Sequence, residues 1–109
     1  MIRRNIDYYM TRTSHGSTLS GVVQSWVLAR SDRERAWHFF THALESDVMD
    51  IQGGTTSEGI HLGAMAGTVD IIQRAHTGIE IRDQILWFNP CLPAALSQLT
   101  FRIRFRAQL

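Results

Sequence analysis

The spacing of apolar residues predicts a helix over residues 17–30. Apolar side chains recur there at intervals of three and four residues and so share one helical face: Leu19, Val22, Val23, Trp26 and Val27. Ser17 or Thr18 is placed to cap the start of this helix, because a hydroxyl can accept a hydrogen bond from a free backbone N–H.

A second helix follows almost at once. Ser31 and Glu34 fit a capping box at its start. Its apolar face comprises Trp37, Phe40 and Leu44, with Phe39 and Ala43 beside it. Because so short a connection reverses the chain direction, the two helices are predicted to form an antiparallel hairpin. Three acidic residues near the end of the second helix are predicted to belong to a solvated loop: Glu45, Asp47 and Asp50.

A third helix is predicted from a second capping box, Thr55 and Glu58, to about Thr77, with Gly78 as the glycine that ends it. Three glycines recur four residues apart on this helix: Gly59, Gly63 and Gly67. Each interior glycine costs ~1 kcal/mol relative to alanine. Three in register therefore predict that something, most often another helix, lies very close to this face.

The hydrophobic period changes after Gly78. Residues 79–82 and 84–88 are predicted to be short strands that join at Asp83 and Gln84. The clearest strand is predicted at residues 99–106, where Leu99, Phe101, Ile103 and Phe105 alternate with Thr100, Arg102, Arg104 and Arg106. The whole pattern is that of an α+β chain, three helices followed by a short antiparallel β segment.

Composition narrows the classes of protein. The chain has 109 residues, of which 44% are hydrophobic and 19% charged, which is ordinary for a folded domain. Its net charge of +1 argues against a strongly basic surface that would bind nucleic acid. The single cysteine, Cys91, excludes a disulfide within the chain and favours a reducing compartment. We find neither a run of ~18 apolar residues nor a signal peptide, so we expect a cytoplasmic protein without membrane attachment.

Two predicted helix starts carry hydroxyls and a histidine. The first is His15-Gly16-Ser17-Thr18, and the second runs from Thr55 to His61. A helix start offers free N–H donors and partial positive charge, so the two could clamp a phosphate if they converge. Ordinary capping explains the same residues, and the spacing alone does not decide between these interpretations.

Two longer motifs resemble one known family. Residues 12–20, Arg-Thr-Ser-His-Gly-Ser-Thr-Leu-Ser, and residues 50–67, Asp-Ile-Gln-Gly-Gly-Thr-Thr-Ser-Glu-Gly-Ile-His-Leu-Gly-Ala-Met-Ala-Gly, are similar to segments of glycoside hydrolase family 65. This family comprises the trehalose, maltose and kojibiose phosphorylases and related acid trehalases, and the first motif is most like the trehalose phosphorylase branch. The resemblance implies that residues 1–77 are the last helices of an α/α-toroid catalytic domain and that residues 78–109 begin a C-terminal β-sheet domain.

The resemblance also implies a reaction. Family phosphorylases invert the anomeric centre: a glutamic acid protonates the glycosidic oxygen while inorganic phosphate, the co-substrate, attacks the opposite face. By motif position, Ser17, Thr18 and His61 are the expected phosphate ligands. His15 and Gly16 are weaker candidates, because neighbours in a motif need not touch the ligand. No cofactor or metal is implied.

The family's general acid lies upstream of these motifs, so no catalytic residue is expected in this chain. Glu58, the acid beside His61, is explained by capping. The chain would act on disaccharide and phosphate only with the N-terminal part of the enzyme; alone, we expect it to self-associate. A hydrolase fragment and a non-catalytic remnant or interaction module are the alternatives.

Two other sites are less well supported. Arg102, Arg104 and Arg106 could contact nucleic acid, but a charged edge strand explains them more simply. His38 and His42 have a spacing that can chelate a metal, yet a solvated helix face fits them better.

Overall fold

The computed structural model of the chain describes residues 2–14, 16–51 and 53–107. Within them lie four α-helices and a two-stranded antiparallel sheet: α1 (Ile2–Met10), α2 (Thr18–Leu28), α3 (Arg33–Glu45), α4 (Leu62–Asp70), β1 (Glu80–Arg82) and β2 (Ile85–Trp87). The predicted α+β class is confirmed, with one helix more than expected. Helix α1 buries none of its residues, although Ile2, Ile6 and Tyr9 recur at helical spacing along one of its faces.

The predicted α2–α3 hairpin is present. Ser17 caps α2, because its Oγ accepts a hydrogen bond from the Leu19 N–H at 3.3 Å. The capping box at Ser31 is wrong: Asp32 caps α3, accepting from the Arg35 N–H at 3.1 Å. A carboxylate is as good a cap as a hydroxyl, and starting the helix one residue later still leaves a tight turn.

The face that α2 buries differs from its most apolar face. Gly21, Val22 and Ser25 are buried. Val23 is 51% exposed, and Leu19 and Val27 are exposed to a similar degree. A Cβ on Gly21 would lie 3.2 Å from both the Ala43 Cβ and the Phe39 carbonyl oxygen. Small residues therefore bring α2 and α3 together, and the larger apolar side chains of α2 point away from this contact.

The third predicted helix begins later than expected. Residues Thr55–Glu58 form one 3₁₀ turn, and α4 starts only at Leu62, because Gly59 has a φ of +104° that no helix accommodates. Helix α4 then continues through wider π-type turns over Ile71–His76. Gly78, with a φ of +64°, ends it in the left-handed conformation that the sequence predicts.

The glycine stripe is corrected in the same region. Gly59 precedes α4, and a Cβ on Gly63 would have no atom within 4 Å among the described residues. Gly67 alone fulfils the expectation, since a Cβ there would lie 2.5 Å from Val22 Cγ1. Of the three glycines spaced four residues apart, only Gly67 therefore lies where another helix approaches closely.

Helices α2 and α4 run parallel. Val22 contacts Gly67, and one turn further along both helices the Trp26 Nε1–H donates to Asp70 at 3.0 Å. Because both contacts advance in the same direction, α2 and α4 start at the same end of the molecule, while α3 runs in the opposite direction and packs against both. The core lies where the three meet: Val22, Ala29, Phe40, Ala43, Ala64, Ile71 and Ala75.

The predicted hairpin is confirmed, with Ile81 opposite Leu86 in its register. Asp83 and Gln84 have φ values of +50° and +65°, as a type I′ turn requires, although neither is glycine. Residues 89–92, which we call the tie segment, fasten the hairpin to the helices. The Cys91 N–H donates to the His76 carbonyl at 2.7 Å, and Arg30 and Arg33 donate to the carbonyls of Asn89 and Leu92.

The strand predicted at residues 99–106 is wrong. In this stretch only Phe105 takes part in a bridge, and residues 99–104 form no ladder with any described residue. Alternation of apolar and polar residues gives an extended segment two different faces, but a β-strand also needs a neighbouring strand to pair with its backbone N–H and C=O groups. Phe101 instead stacks on Phe88, with ring centroids 5.7 Å apart. None of the described helices combines the length and apolarity that crossing a bilayer demands.

Gly78→Ala is expected to destabilise the chain by about 2 kcal/mol or more, because left-handed backbone is strained for alanine and the added Cβ would overlap the Asn89 carbonyl oxygen. Gly63→Ala is the matched control: it fills open space on α4 and should stabilise by about 0.5 kcal/mol. Urea unfolding followed by circular dichroism measures both. Equal effects of the two substitutions would contradict the geometry at Gly78.

His76 is expected to make the fold sensitive to acid. Its ring is 2% exposed, lies edge-on to Phe40, and has no hydrogen-bond partner for either nitrogen in the described part of the chain. Burial lowers the pKa of His76 below its ordinary value, so the unfolded chain takes up the proton first. Stability conferred by the neutral ring is therefore complete above the ordinary histidine pKa of ~6.5 and is lost as pH falls below it.

His76→Leu should reduce the difference in unfolding free energy between pH 7.5 and pH 5.5. His42→Gln, a change at an exposed histidine, should leave that difference as it is in the parent chain. A pH dependence that survives in His76→Leu would show that other groups carry it.

Candidate phosphate site at two helix starts

The first helix start presents hydroxyls to solvent. Ser17 is exposed and Thr18 half-buried. The cap uses Ser17 Oγ as an acceptor, which leaves its O–H able to donate to a ligand. Ser17 also lines a depression of about 280 Å³ whose other polar residues are Thr13, Ser20 and Gln24. Gly16 is exposed beside it, and the prediction for His15 lies outside the described residues.

The second helix start holds His61 in a defined orientation. The Asp47 carboxylate accepts from the His61 backbone N–H at 2.9 Å and lies 2.5 Å from ring Nδ1. The Asp47 side chain is only 10% exposed. Assigning Asp47 to a solvated loop was therefore wrong. Among the described residues Nε2 has no partner, so it is the ring nitrogen that can reach a ligand.

Asp50 organises the loop that leads to this helix start. Its backbone has a φ of +49°, and its Oδ1 accepts from the Gly54 N–H at 2.7 Å and from the Thr56 hydroxyl at 3.2 Å. The Ser57 hydroxyl donates to the Gly54 carbonyl at 3.0 Å. The hydroxyls of Thr56 and Ser57 are thus used within the loop. Glu58 is exposed at the end of the 3₁₀ turn, and the side chain of Thr55, the other member of the predicted capping box, lies outside what the structure describes.

The parallel packing of α2 and α4 places the two helix starts at one end of the molecule. Thr18 precedes the Val22 contact by four residues and Leu62 precedes the Gly67 contact by five, so each start lies roughly 6–8 Å along its helix from the crossing. Two N-terminal dipoles consequently face the same side, beside His61. The Asp47 carboxylate also lies at this end, where it accepts from the His61 backbone N–H and contacts its ring.

Sequence reasoning found His61 but missed Asp47. The two residues are 14 positions apart, and no short motif signals that a carboxylate after one helix will anchor a histidine before another. Only the fold brings the two residues together. Helix α3 runs back from the end of α2, and the turn after α3, which contains Asp47, lies beside the start of α4.

The remaining sequence candidates do not join this site. Arg106 donates to Gln84 Oε1 at 2.9 Å, and Arg102 and Arg104 are exposed on a segment that forms no strand, so the predicted basic stripe is not assembled. The rings of His38 and His42 lie 6.3 Å apart, and the described residues bring no third metal ligand to them.

Asp47→Ala is expected to change the tautomer of His61. The carboxylate beside Nδ1 should keep the proton of the neutral ring on that nitrogen. Nitrogen-15 NMR at a pH where the ring is neutral should show the Nδ1–H form in the parent and more Nε2–H form in Asp47→Ala. The exposed His38 is the internal control, and an unchanged His61 tautomer would contradict the proposed anchoring.

Comparison of the sequence with known proteins places the chain in a family. The sequence profile of the glycosyl hydrolase family 65 central catalytic domain matches residues 1–70, and that of the family's C-terminal domain matches residues 79–109. No solved structure matches the chain.

Three relatives illustrate the similarity. An uncharacterized glycosyl hydrolase of Mycobacterium tuberculosis is 54% identical over 93% of this chain and 8% of its own length. A trehalose 6-phosphate phosphorylase of Lactococcus lactis is 40% identical over 96% of this chain, and a kojibiose phosphorylase of Caldanaerobacter subterraneus is 33% identical over 98%. The chain spans 14% of each of these two phosphorylases. Both profiles and the relatives agree: the chain belongs to glycosyl hydrolase family 65.

Proposed function

We propose that this chain is the C-terminal part of a cytoplasmic inverting disaccharide phosphorylase, contributing part of a phosphate site but not the general acid. The substrate would be an α-glucoside such as trehalose. The observation that carries the proposal is the position of two helix starts at the same end of the fold, with His61 held there by Asp47. The phosphorylases among its relatives support the same chemistry.

In this proposal phosphate lies across the two helix starts. The hydroxyls of Ser17 and Thr18 and free backbone N–H groups of α2 would donate to its oxygens, and the dipoles of α2 and α4 would stabilise its charge. Because Asp47 occupies Nδ1 of His61, Nε2 would face the phosphate. It can donate when the ring is protonated, or accept a proton held by hydrogen phosphate when the ring is neutral.

In this role the residues of the chain bind and orient phosphate, and they do not supply a nucleophile. Phosphate itself attacks the anomeric carbon, while a glutamic acid from the preceding part of the enzyme would protonate the departing oxygen. The attacking oxygen must be aligned behind the breaking bond, and such positioning contributes much of the rate. The parallel pair α2 and α4, with α3 running back, is the arrangement that successive helical hairpins of an α/α toroid would give.

Hydrolysis is the second candidate function, since the M. tuberculosis relatives are described as glycosyl hydrolases. A hydrolase would need a carboxylate to activate water. Asp47, the largely buried carboxylate at this end, interacts twice with His61 and is poorly placed to act as that base.

A chimaera tests the proposal. This chain would replace the matching 106 residues of the L. lactis trehalose 6-phosphate phosphorylase. We expect the chimaera to cleave its disaccharide only when phosphate is present. His61→Ala and Ser17→Ala should each raise the KM for phosphate about tenfold or more, since a hydrogen bond to a charged group contributes ~1.5–3 kcal/mol.

Ser57→Ala is the matched control, because its hydroxyl is already used by the Gly54 carbonyl. It should leave the KM for phosphate within about twofold of the parent value. Glucose release without phosphate would instead support a hydrolase. A phosphate KM that His61→Ala leaves unchanged would remove His61 from the site, and an inactive but folded chimaera would favour a non-catalytic module.

A further inference from the structure

A second concave surface lies at the opposite ends of the same helices. A cleft of about 590 Å³ opens between the C-terminal ends of α2 and the π-type turns on one side and the β1–β2 hairpin on the other. This volume is within the ~300–1,000 Å³ range of small-molecule sites. The lining residues of this cleft that carry a charge or an indole ring are Trp26, Arg30, Arg74, Glu80, Arg82 and Trp87.

Two indole rings form walls of the cleft. Trp26 comes from α2 and Trp87 from β2, and both are exposed. Each has a guanidinium over one face of its ring, which leaves the other face for a ligand: Arg74 Cζ is 5.4 Å from the centroid of Trp26, and Arg82 Cζ is 5.4 Å from that of Trp87. The CH-rich face of a pyranose ring packs well on an indole, and neighbouring planar polar groups can hydrogen-bond its hydroxyls.

The charge of the cleft is positive. Three arginines and one glutamate line it, so the lining carries a formal charge of +2 at neutral pH. Arg74 is paired with Asp70 by two hydrogen bonds of 2.5 and 2.8 Å, and Arg82 is paired with Glu80 at 2.5 Å.

Arg30 differs from these two arginines. Its Nη2 donates to the Asn89 carbonyl at 2.6 Å, and no described carboxylate lies within ion-pair distance of it. A guanidinium has five N–H donors, and this contact uses only part of that capacity. The cleft therefore contains, together with two tryptophans, a cation that has no carboxylate partner among the described residues.

We propose that this cleft binds a sugar phosphate, with the sugar ring against the indoles and the phosphate at Arg30. Arginine suits such a ligand because its planar fork of donors matches phosphate oxygens. The inference stands apart from the proposed function. Trp26 and Arg30 lie at the end of α2, whereas Ser17 and Thr18 lie at its start.

The test uses the full chain with glucose 6-phosphate as the probe, followed by NMR of the indole N–H groups. The signals of Trp26 and Trp87 should shift saturably, and that of Trp37, which packs against the core, should not. Trehalose and inorganic phosphate are the comparison probes. Each should bind at least about tenfold more weakly at this cleft, because each lacks one of the two recognised groups.

Matched substitutions assign the two contacts. Arg30→Gln keeps a donor for the Asn89 carbonyl but removes the charge, and should weaken glucose 6-phosphate binding about tenfold or more. Arg33→Gln makes the same change at an arginine that also donates to a backbone carbonyl but lies outside the cleft, and should have less than a twofold effect. Trp87→Leu should weaken binding about threefold to tenfold, whereas Phe88→Leu, at the next exposed aromatic residue, should not.

Several results would overturn the proposal. They are an absence of shifts at Trp26 and Trp87, equal binding of inorganic phosphate or of trehalose, and equal effects of Arg30→Gln and Arg33→Gln. His61→Ala separates the two sites: binding at the cleft should persist in this variant even if the helix starts do not bind phosphate at all. Binding that His61→Ala abolishes would assign the signal to the helix starts and end the proposal.

Discussion

The contact between Gly67 of α4 and Val22 of α2 is the constraint on which the arrangement of the molecule depends. A side chain on Gly67 would overlap Val22, so only glycine lets the two helices cross this closely. The Trp26–Asp70 hydrogen bond one turn further on fixes their direction as parallel. Since parallel helices have all their starts at one end, the hydroxyls and His61 gather there, and the tryptophans and arginines gather with the hairpin at the other.

Much of this arrangement could be predicted from local chemistry. The α2–α3 hairpin, the Ser17 cap and the glycine end at Gly78 follow from signals within a few residues, and so does the turn at Asp83 and Gln84. These features depend on hydrogen bonds between near neighbours in the chain, which a sequence pattern encodes directly.

Other features depend on which parts of the chain pack against them, and for these the hydrophobic pattern along the chain gave a wrong prediction. Alternation at residues 99–106 indicates a strand, but within this stretch only Phe105 takes part in a bridge. The large apolar residues of α2 were the natural choice for its buried face, yet Gly21 and Ser25 make the close contact with α3 instead. For the candidate site, the motif residues could be named, whereas Asp47 became visible only when the fold brought it to His61.

The tie segment, residues 89–92, has a mechanical consequence for the whole chain. A two-stranded hairpin has little stability of its own in water. Here its exit is held by backbone and side-chain bonds to His76, Arg30 and Arg33, and the Cys91 thiol contacts the Ala29 carbonyl at 3.7 Å. These contacts attach the C-terminal family segment, residues 79–109, to the helical part at a point beyond the hairpin. Force or strain applied to the β part is transmitted into the ends of α2 and the π-type turns, so both parts should yield together.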